Sequence, residues 1–279
     1  MTLITLCPGS TGARAGSVLL SLEVDAMSTP TRNWFRAAIM VIAPVVLLVA
    51  FLYHPFLAGG GAPEPEFVAE AAEADPTRWA GAHLLTIGAL ALTALAFLAL
   101  RGRLRDAGEE RWSSWALPLV LVGLVLLAGL PAIEMAVAGA IDAGVDAVAM
   151  IEATSPWFLT LLISSSVTFG LGTLVFAAGV ARAAIMGRGL TTVVVIALVV
   201  TALAMVAPLF WTFYVMCAAA IVAFWSVAWA TMRTGSGTRT GAVAEAVEGV
   251  LPTTPRPRAS EETGGLLRGF GRRRSHTPH

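Results

Sequence analysis

Apolar residues run in long unbroken stretches along this chain, with polar residues gathered between them rather than striped along one face. A helix needs about 20 mostly apolar residues to cross a bilayer core of roughly 30 Å. Six stretches meet that need, near residues 35–55, 81–101, 114–137, 157–181, 190–208 and 211–232. The last two are parted only by a turn around Pro208, Leu209 and Phe210. Joined as one helix they would rise about 65 Å at 1.5 Å per residue, twice the membrane, so two helices are expected. The expected fold is all-α, a polytopic membrane protein built as a bundle of six transmembrane helices.

The charged positions between the runs alternate in sign. Short cytoplasmic loops carry an excess of Arg and Lys. Arg32 and Arg36 precede the first span, and Arg101, Arg103, Arg105 and Arg111 follow the second. Arg182 and Arg188 follow the fourth, and Arg233, Arg239, Arg256, Arg258, Arg268, Arg272, Arg273 and Arg274 follow the last. The other connections are acidic. Residues 58–80 hold Glu64, Glu66, Glu70, Glu73 and Asp75 against a lone Arg78, and residues 134–156 hold Glu134, Asp142, Asp146 and Glu152 with no base. This places both termini in the cytoplasm. Trp34, Trp79, Trp112, Trp115, Trp157 and Trp211 fall at span ends, where an amphipathic ring anchors at headgroup level; Trp229 lies near the inner end of the last span, and Trp225 is expected to be buried.

Composition agrees. Of 279 residues, 57% are hydrophobic and 13% charged, about half the charged share of a soluble domain. Mean hydropathy is +0.78. A soluble enzyme, a nucleic-acid-binding domain and a disordered scaffold are excluded on these grounds. Every basic residue is Arg, a habit of composition. The two cysteines, Cys7 and Cys217, build neither a disulfide framework nor a metal knuckle.

Three segments result. Residues 1–33 are a leader and short cytoplasmic tail; residues 1–26 have no signal-peptide pattern, and Met27 is the expected start of translation. Residues 34–232 are the transmembrane domain. Residues 233–279 are poor in large apolar side chains and read as a disordered, Arg-rich cytoplasmic tail. Its basic run can touch anionic lipid or a cytosolic partner, though a solvated tail is the favoured reading. The similar runs after Thr86-Ile87-Gly88 and Thr168-Phe169-Gly170 follow from composition rather than from a repeat.

Ionisable groups inside a span are costly and therefore point to function. No Lys and no mid-membrane Asp or Glu is present, which argues against a proton pump, and no Arg series argues for a voltage sensor. The outer face is different. His54 closes the first span, His83 opens the second, and Glu134 lies three residues after Pro131 in the third. Topology sets the three at similar depth. Two imidazoles and a carboxylate can hold a divalent metal, and the two histidines can be read as axial haem ligands. Against this, Trp79 and His83, four apart on one helix face, make an aromatic anchor pair, Glu134 can simply end its helix, and diheme membrane bundles need four histidines. The remaining pair, His276 and His279, lies in the tail.

Other features are weighed toward packing. Ser164, Thr168 and Gly172 recur every fourth residue, and Ser166 and Gly170 form a second small pair. The functional alternative is a polar stripe in which Ser164, Ser165 and Thr168, with Thr160 nearby, line a ligand path. Residues 134–153 resemble a short amphipathic helix on the outer surface, capping a cavity, or else an acidic connector. Pro44, Pro118, Pro131 and Pro208 can kink or end helices and open an outward pocket. Met205, Met216 and Cys217 are core filling. No phosphate loop, nucleophile elbow or catalytic triad pattern occurs, and no cofactor is required.

An acidic, Ala-rich segment runs into Asp75-Pro76-Thr77-Arg78-Trp79-Ala80-Gly81-Ala82-His83-Leu84-Leu85, followed by an Ala/Leu helix and an Arg-rich turn. In this the chain resembles a broad group of uncharacterised multi-pass, six-helix membrane proteins common in actinobacteria. The resemblance implies a bacterial plasma membrane and this topology, and carries no activity with it. Three functions are expected from the residues: binding or passing a small ligand through an outward pocket, holding a metal or haem through His54 and His83, or acting as a structural partner through the tail. The bilayer is the certain partner, with a small molecule and a second copy of the chain as further ones, and nucleic acid is not.

Overall fold

The computed structural model describes residues 29–55, 64–183, 185–206 and 210–250, with the backbone alone for Thr29, Phe210 and residues 234–250. The described residues are helical, and no strand is found among them. We label the helices α1 (Thr29–Tyr53), α2 (Pro65–Ala74), α3 (Pro76–Asp106), α4 (Arg111–Asp142), α5 (Ala147–Ala183), α6 (Arg188–Ala204) and α7 (Phe210–Val250). The chain divides into two units, residues 1–238 and 239–279. Of the second, the described part is helical backbone as far as Val250, so α7 runs into the segment read as a tail. Residues 1–28 of the leader, the turn at residues 207–209 and residues 251–279 of the tail lie outside the described residues, while residues 29–33 are the first turn of α1.

Among the described residues, five helices are long and apolar enough to cross a membrane: Pro30–Tyr53, Pro76–Asp106, Arg111–Asp142, Ala147–Ala183 and Trp211–Arg233. α6 is apolar but has 17 residues, the lower limit for a span. Large apolar side chains such as Trp115, Val125, Trp157 and Ile196 stand outward and exposed. Water would not tolerate that much apolar surface on a monomer; lipid tails do.

The core is tied by one aromatic node. Phe97 of α3 meets Phe169 and Phe176 of α5 and Phe224 of α7, with ring centroids 5.8, 5.2 and 5.1 Å away. The most extensive pairing is α4 with α5. There the backbones come so close that a Cβ on Gly123 would stand 2.5 Å from the Phe169 nitrogen, and one on Gly172 would stand 2.7 Å from the Val120 nitrogen. Gly172 is therefore a packing residue, as the small-residue spacing leads one to expect. α7 holds α1 through polar tips: Tyr214 Oη donates to the Phe51 carbonyl (3.3 Å) and Trp225 Nε1 to the Val41 carbonyl (3.1 Å). Trp225 is 46% exposed, not buried as its mid-helix position implies, because only its N–H edge turns inward.

The end of the bundle that carries residues 134–153 departs most from expectation. Residues 134–153 do not form a separate surface helix. α4 continues through Pro131 to Asp142, turns at Gly144 (φ 72°), and α5 begins at Ala147, with the Asp146 side chain accepting from the Val148 and Ala149 N–H groups. A helix is absent from expectation but present at Pro65–Ala74. Its Pro sits at the first helical turn and Glu66 follows, both favourable at an N-terminus. Val68, Ala69 and Ala72 of α2 pack on Val137, Ala138 and Ala147, with Trp79 between them, as a second small core above the first.

Candidate metal centre

Local sequence aims the side chains of His54, His83 and Glu134. Pro55 cannot continue a helix and biases His54 away from helical backbone. α1 therefore stops at Tyr53, with the His54 N–H closing the last turn on the Ala50 carbonyl (3.0 Å). Asp75 and Pro76 start α3: the Asp75 carboxylate accepts from the Arg78 N–H at 2.9 Å, the capping role this residue type favours. Trp79 and His83 then fall on one face of α3, one turn apart. Glu134 follows Pro131 by one turn on α4.

Packing turns all of these to one point. His54 Nε2 lies 3.1 Å from His83 Nε2, and His83 Nε2 lies 2.8 Å from Glu134 Oε2. The ligand atoms of His54, His83 and Glu134 are all within 4.8 Å of one another. His83 is 1% exposed and His54 9%, while the Glu134 side chain keeps 27% exposure and opens the site outward. Trp79 is 1% exposed, not a headgroup anchor. Its ring packs on both imidazoles at 5.2 and 4.6 Å, and its Nε1 donates to the Glu134 carbonyl at 2.8 Å. Arg78 borders the site, with Nε donating to the Tyr53 carbonyl at 3.1 Å and the guanidinium over the Tyr53 ring.

Hydrogen-bond geometry assigns the histidine protons. His83 Nδ1 faces the Trp79 carbonyl at 2.6 Å, and His54 Nδ1 faces the Pro55 carbonyl at 2.9 Å. A carbonyl only accepts, so each Nδ1 carries the hydrogen. In a neutral ring the Nε2 then carries a lone pair. Burial, and next the neighbouring His83, hold the pKa of His54 below its ordinary value, with Glu134 opposing; His54 stands one residue beyond the span. Two imidazole lone pairs and a carboxylate thus converge on a small volume. The arrangement has the outer-shell order usual for metal-ligating histidines, whose second nitrogen donates to a backbone carbonyl or carboxylate.

The geometry does not fit haem. An axial pair sits across the iron, with nitrogens on the order of 4 Å apart and a macrocycle between. Here they are 3.1 Å apart and the rings meet edge to face, centroids 4.7 Å apart. Haem does not fit between them. Around a tetrahedral zinc with 2.0–2.1 Å bonds, ligand atoms stand about 3.3 Å apart; His83 would spread by a few tenths of an ångström from each partner, whereas His54 and Glu134, within 4.8 Å of one another, would have to draw together.

The hydroxyl stripe lies elsewhere and points inward to its own helix. Thr168 Oγ1 donates to the Ser164 carbonyl (2.7 Å), Ser165 Oγ to that of Leu162 (3.0 Å) and Thr160 Oγ1 to that of Pro156 (2.8 Å). None of Ser164, Ser165 and Thr168 borders the interior cavity among Pro44, Leu90, Phe97, Phe169, Met216 and Phe224. That cavity leaves about 20 Å³ for the centre of a water-sized sphere, room for one or two waters. No family model, curated protein or solved structure matches the chain.

Proposed function

We propose that this chain is a six-span protein of a bacterial plasma membrane, with both termini cytoplasmic, whose outward end binds a divalent first-row metal ion. The ligands are His54 Nε2, His83 Nε2 and a Glu134 carboxylate oxygen, and imidazole-rich sites of this kind favour zinc among the available ions. The carrying observation is the direction of the two rings. Both Nδ1 atoms face backbone carbonyls, so both Nε2 atoms meet beside Glu134. Two histidines and a glutamate leave a fourth position for water or another ligand. In the outward pocket expected for an organic ligand, the hydroxyls of Ser165 and Thr168 are taken up by their own helix.

The sixth span rests on charge parity. If α6 did not cross, Arg182 and Arg188 would lie on one side and the Arg-rich tail on the other, against the positive-inside rule. Six crossings keep every basic segment on one face.

The test is a zinc titration of the full chain in detergent, with His276→Ala and His279→Ala in the background so that tail histidines do not contribute. One equivalent should bind, and at 100 times the dissociation constant the folded state should gain about 2.7 kcal/mol. His54→Ala with His83→Ala should abolish both. Unchanged occupancy in that variant sinks the site. If zinc fails to bind at all, the metal reading is overturned.

A further inference from the structure

The candidate metal centre has a cation at its edge. Arg78 precedes Trp79 on α3, and its Nε donates to the Tyr53 carbonyl at 3.1 Å, one residue before His54. The guanidinium lies over the Tyr53 ring, 5.5 Å from its centroid, and its charge is felt at His54. The Nε donor is spent on that carbonyl, while Nη1 and Nη2 carry four further N–H donors. Among the described residues no carboxylate forms an ion pair with Arg78; Asp75 accepts from its backbone N–H instead. The side chain is exposed.

A dication on His54, His83 and Glu134 keeps one positive charge after the Glu134 carboxylate is counted, and Arg78 adds another beside it. Two positive charges at one opening favour an anion over neutral water in the fourth metal position. The planar fork of an arginine matches a carboxylate bidentately. The surroundings choose a single negative charge over a multiple one. Glu66, Glu70, Glu73, Asp75, Asp142 and Asp146 are all exposed, and α2, which carries the first three, packs against Trp79 and against Val137 and Ala138, one turn beyond Glu134. Their field repels a phosphate dianion more than a monoanion. Tyr53 keeps 46% exposure, and its ring offers the apolar part of an organic acid a surface to lie on.

We propose that the fourth position of this metal centre takes the carboxylate of a small organic acid, shared between the metal and the Arg78 guanidinium. Arg78 is then a binding residue for the acid, and the Tyr53 carbonyl holds it in place. The proposal rests on the metal reading above, because without the ion Glu134 meets an incoming anion with like charge.

The test loads the full chain in detergent, carrying His276→Ala and His279→Ala, with cobalt(II), whose visible absorption reports the number and kind of its ligands. Acetate is then titrated as the simplest carboxylate, with inorganic phosphate as the multiply charged comparison. Cobalt should bind at one equivalent, and acetate should change its absorption saturably. Arg78→Gln should weaken acetate about 10- to 100-fold, the loss of a hydrogen bond to a charged group. Arg78→Lys keeps the charge without the fork and should fall between the two. Cobalt itself should bind Arg78→Gln no more weakly than the wild-type chain, because a positive neighbour is gone. Parallel weakening of cobalt and acetate would make Arg78 merely structural and overturn the proposal. So would acetate that leaves the cobalt spectrum unchanged, acetate that binds wild type and Arg78→Gln equally, or phosphate that binds more tightly than acetate. In each of those cases the metal reading stands. A chain that takes up no cobalt overturns the metal reading, and this proposal with it.

Discussion

At the scale of single residues, Trp79 is the side chain that organises the outer site. It does not anchor at the headgroups. It stands between α3 and α4, donating to the Glu134 carbonyl, while its own carbonyl receives the His83 Nδ1 hydrogen. Trp79→Phe keeps the ring contacts and removes only the indole N–H. We expect a stability loss of about 1 kcal/mol, the usual net value of one hydrogen bond. We also expect roughly 10-fold weaker zinc binding, the low end for outer-shell partners. Calorimetric titration beside thermal unfolding reads both. Equal zinc affinity in Trp79→Phe would show that the indole packs without positioning. Glu134 asks a different question. Glu134→Gln keeps size and helix but removes the charge, so affinity should fall while the fold persists.

Among elements, α4 and α5 depend on having nothing at two positions. Gly123 and Gly172 let their backbones touch where a methyl group would collide with main-chain nitrogen rather than with a yielding side-chain tip. Gly123→Ala or Gly172→Ala should therefore cost about 1–3 kcal/mol, the range for overpacking a close-fitted interior, even though alanine is the better helix former. Gly139, with open space around it, is the control: there alanine should be neutral or slightly stabilising. Heat denaturation in detergent compares the three, and equal stability at Gly123 and Gly139 would refute the close-contact account. α2 shows the limit of periodicity. Ten residues are too few for a clear hydrophobic stripe. The signals that do mark it, Pro65 at the first turn and the Ala/Glu run behind it, also fit an acidic connector.

For the molecule as a whole, orientation is the property to test, and the two faces carry different chemistry. One end gathers imidazole and carboxylate, and the opposite end gathers guanidinium. In a chain with Cys7 and Cys217 replaced by Ser, a membrane-impermeant maleimide should label Glu70→Cys on intact cells. It should leave Gly187→Cys unlabelled until the membrane is opened. Both native residues are exposed. Acidic residues weigh little in topology, so Glu70→Cys should not itself invert the chain. Labelling of position 187 from outside would reverse the orientation; labelling of both would break the six-span count.

What the sequence determined alone is depth. Apolar length is a local property, so the long helices are readable from runs of Ala, Leu and Val. Position along a span then sets His54, His83 and Glu134 at one level and Arg32, Arg36 and Arg103 at another. What only the tertiary structure decided is direction about each helix axis and the choice of neighbours. Ala- and Leu-rich surfaces look alike from every side, so nothing local tells whether Thr168 faces a cavity or its own backbone, or whether Trp79 faces lipid or Glu134. Packing settles both. The Phe97 node and the contact of Gly123 and Gly172 with the opposing backbones lock the registers of α3, α4 and α5. The pairing of α1 with α3 then brings two histidines from separate spans to 3.1 Å.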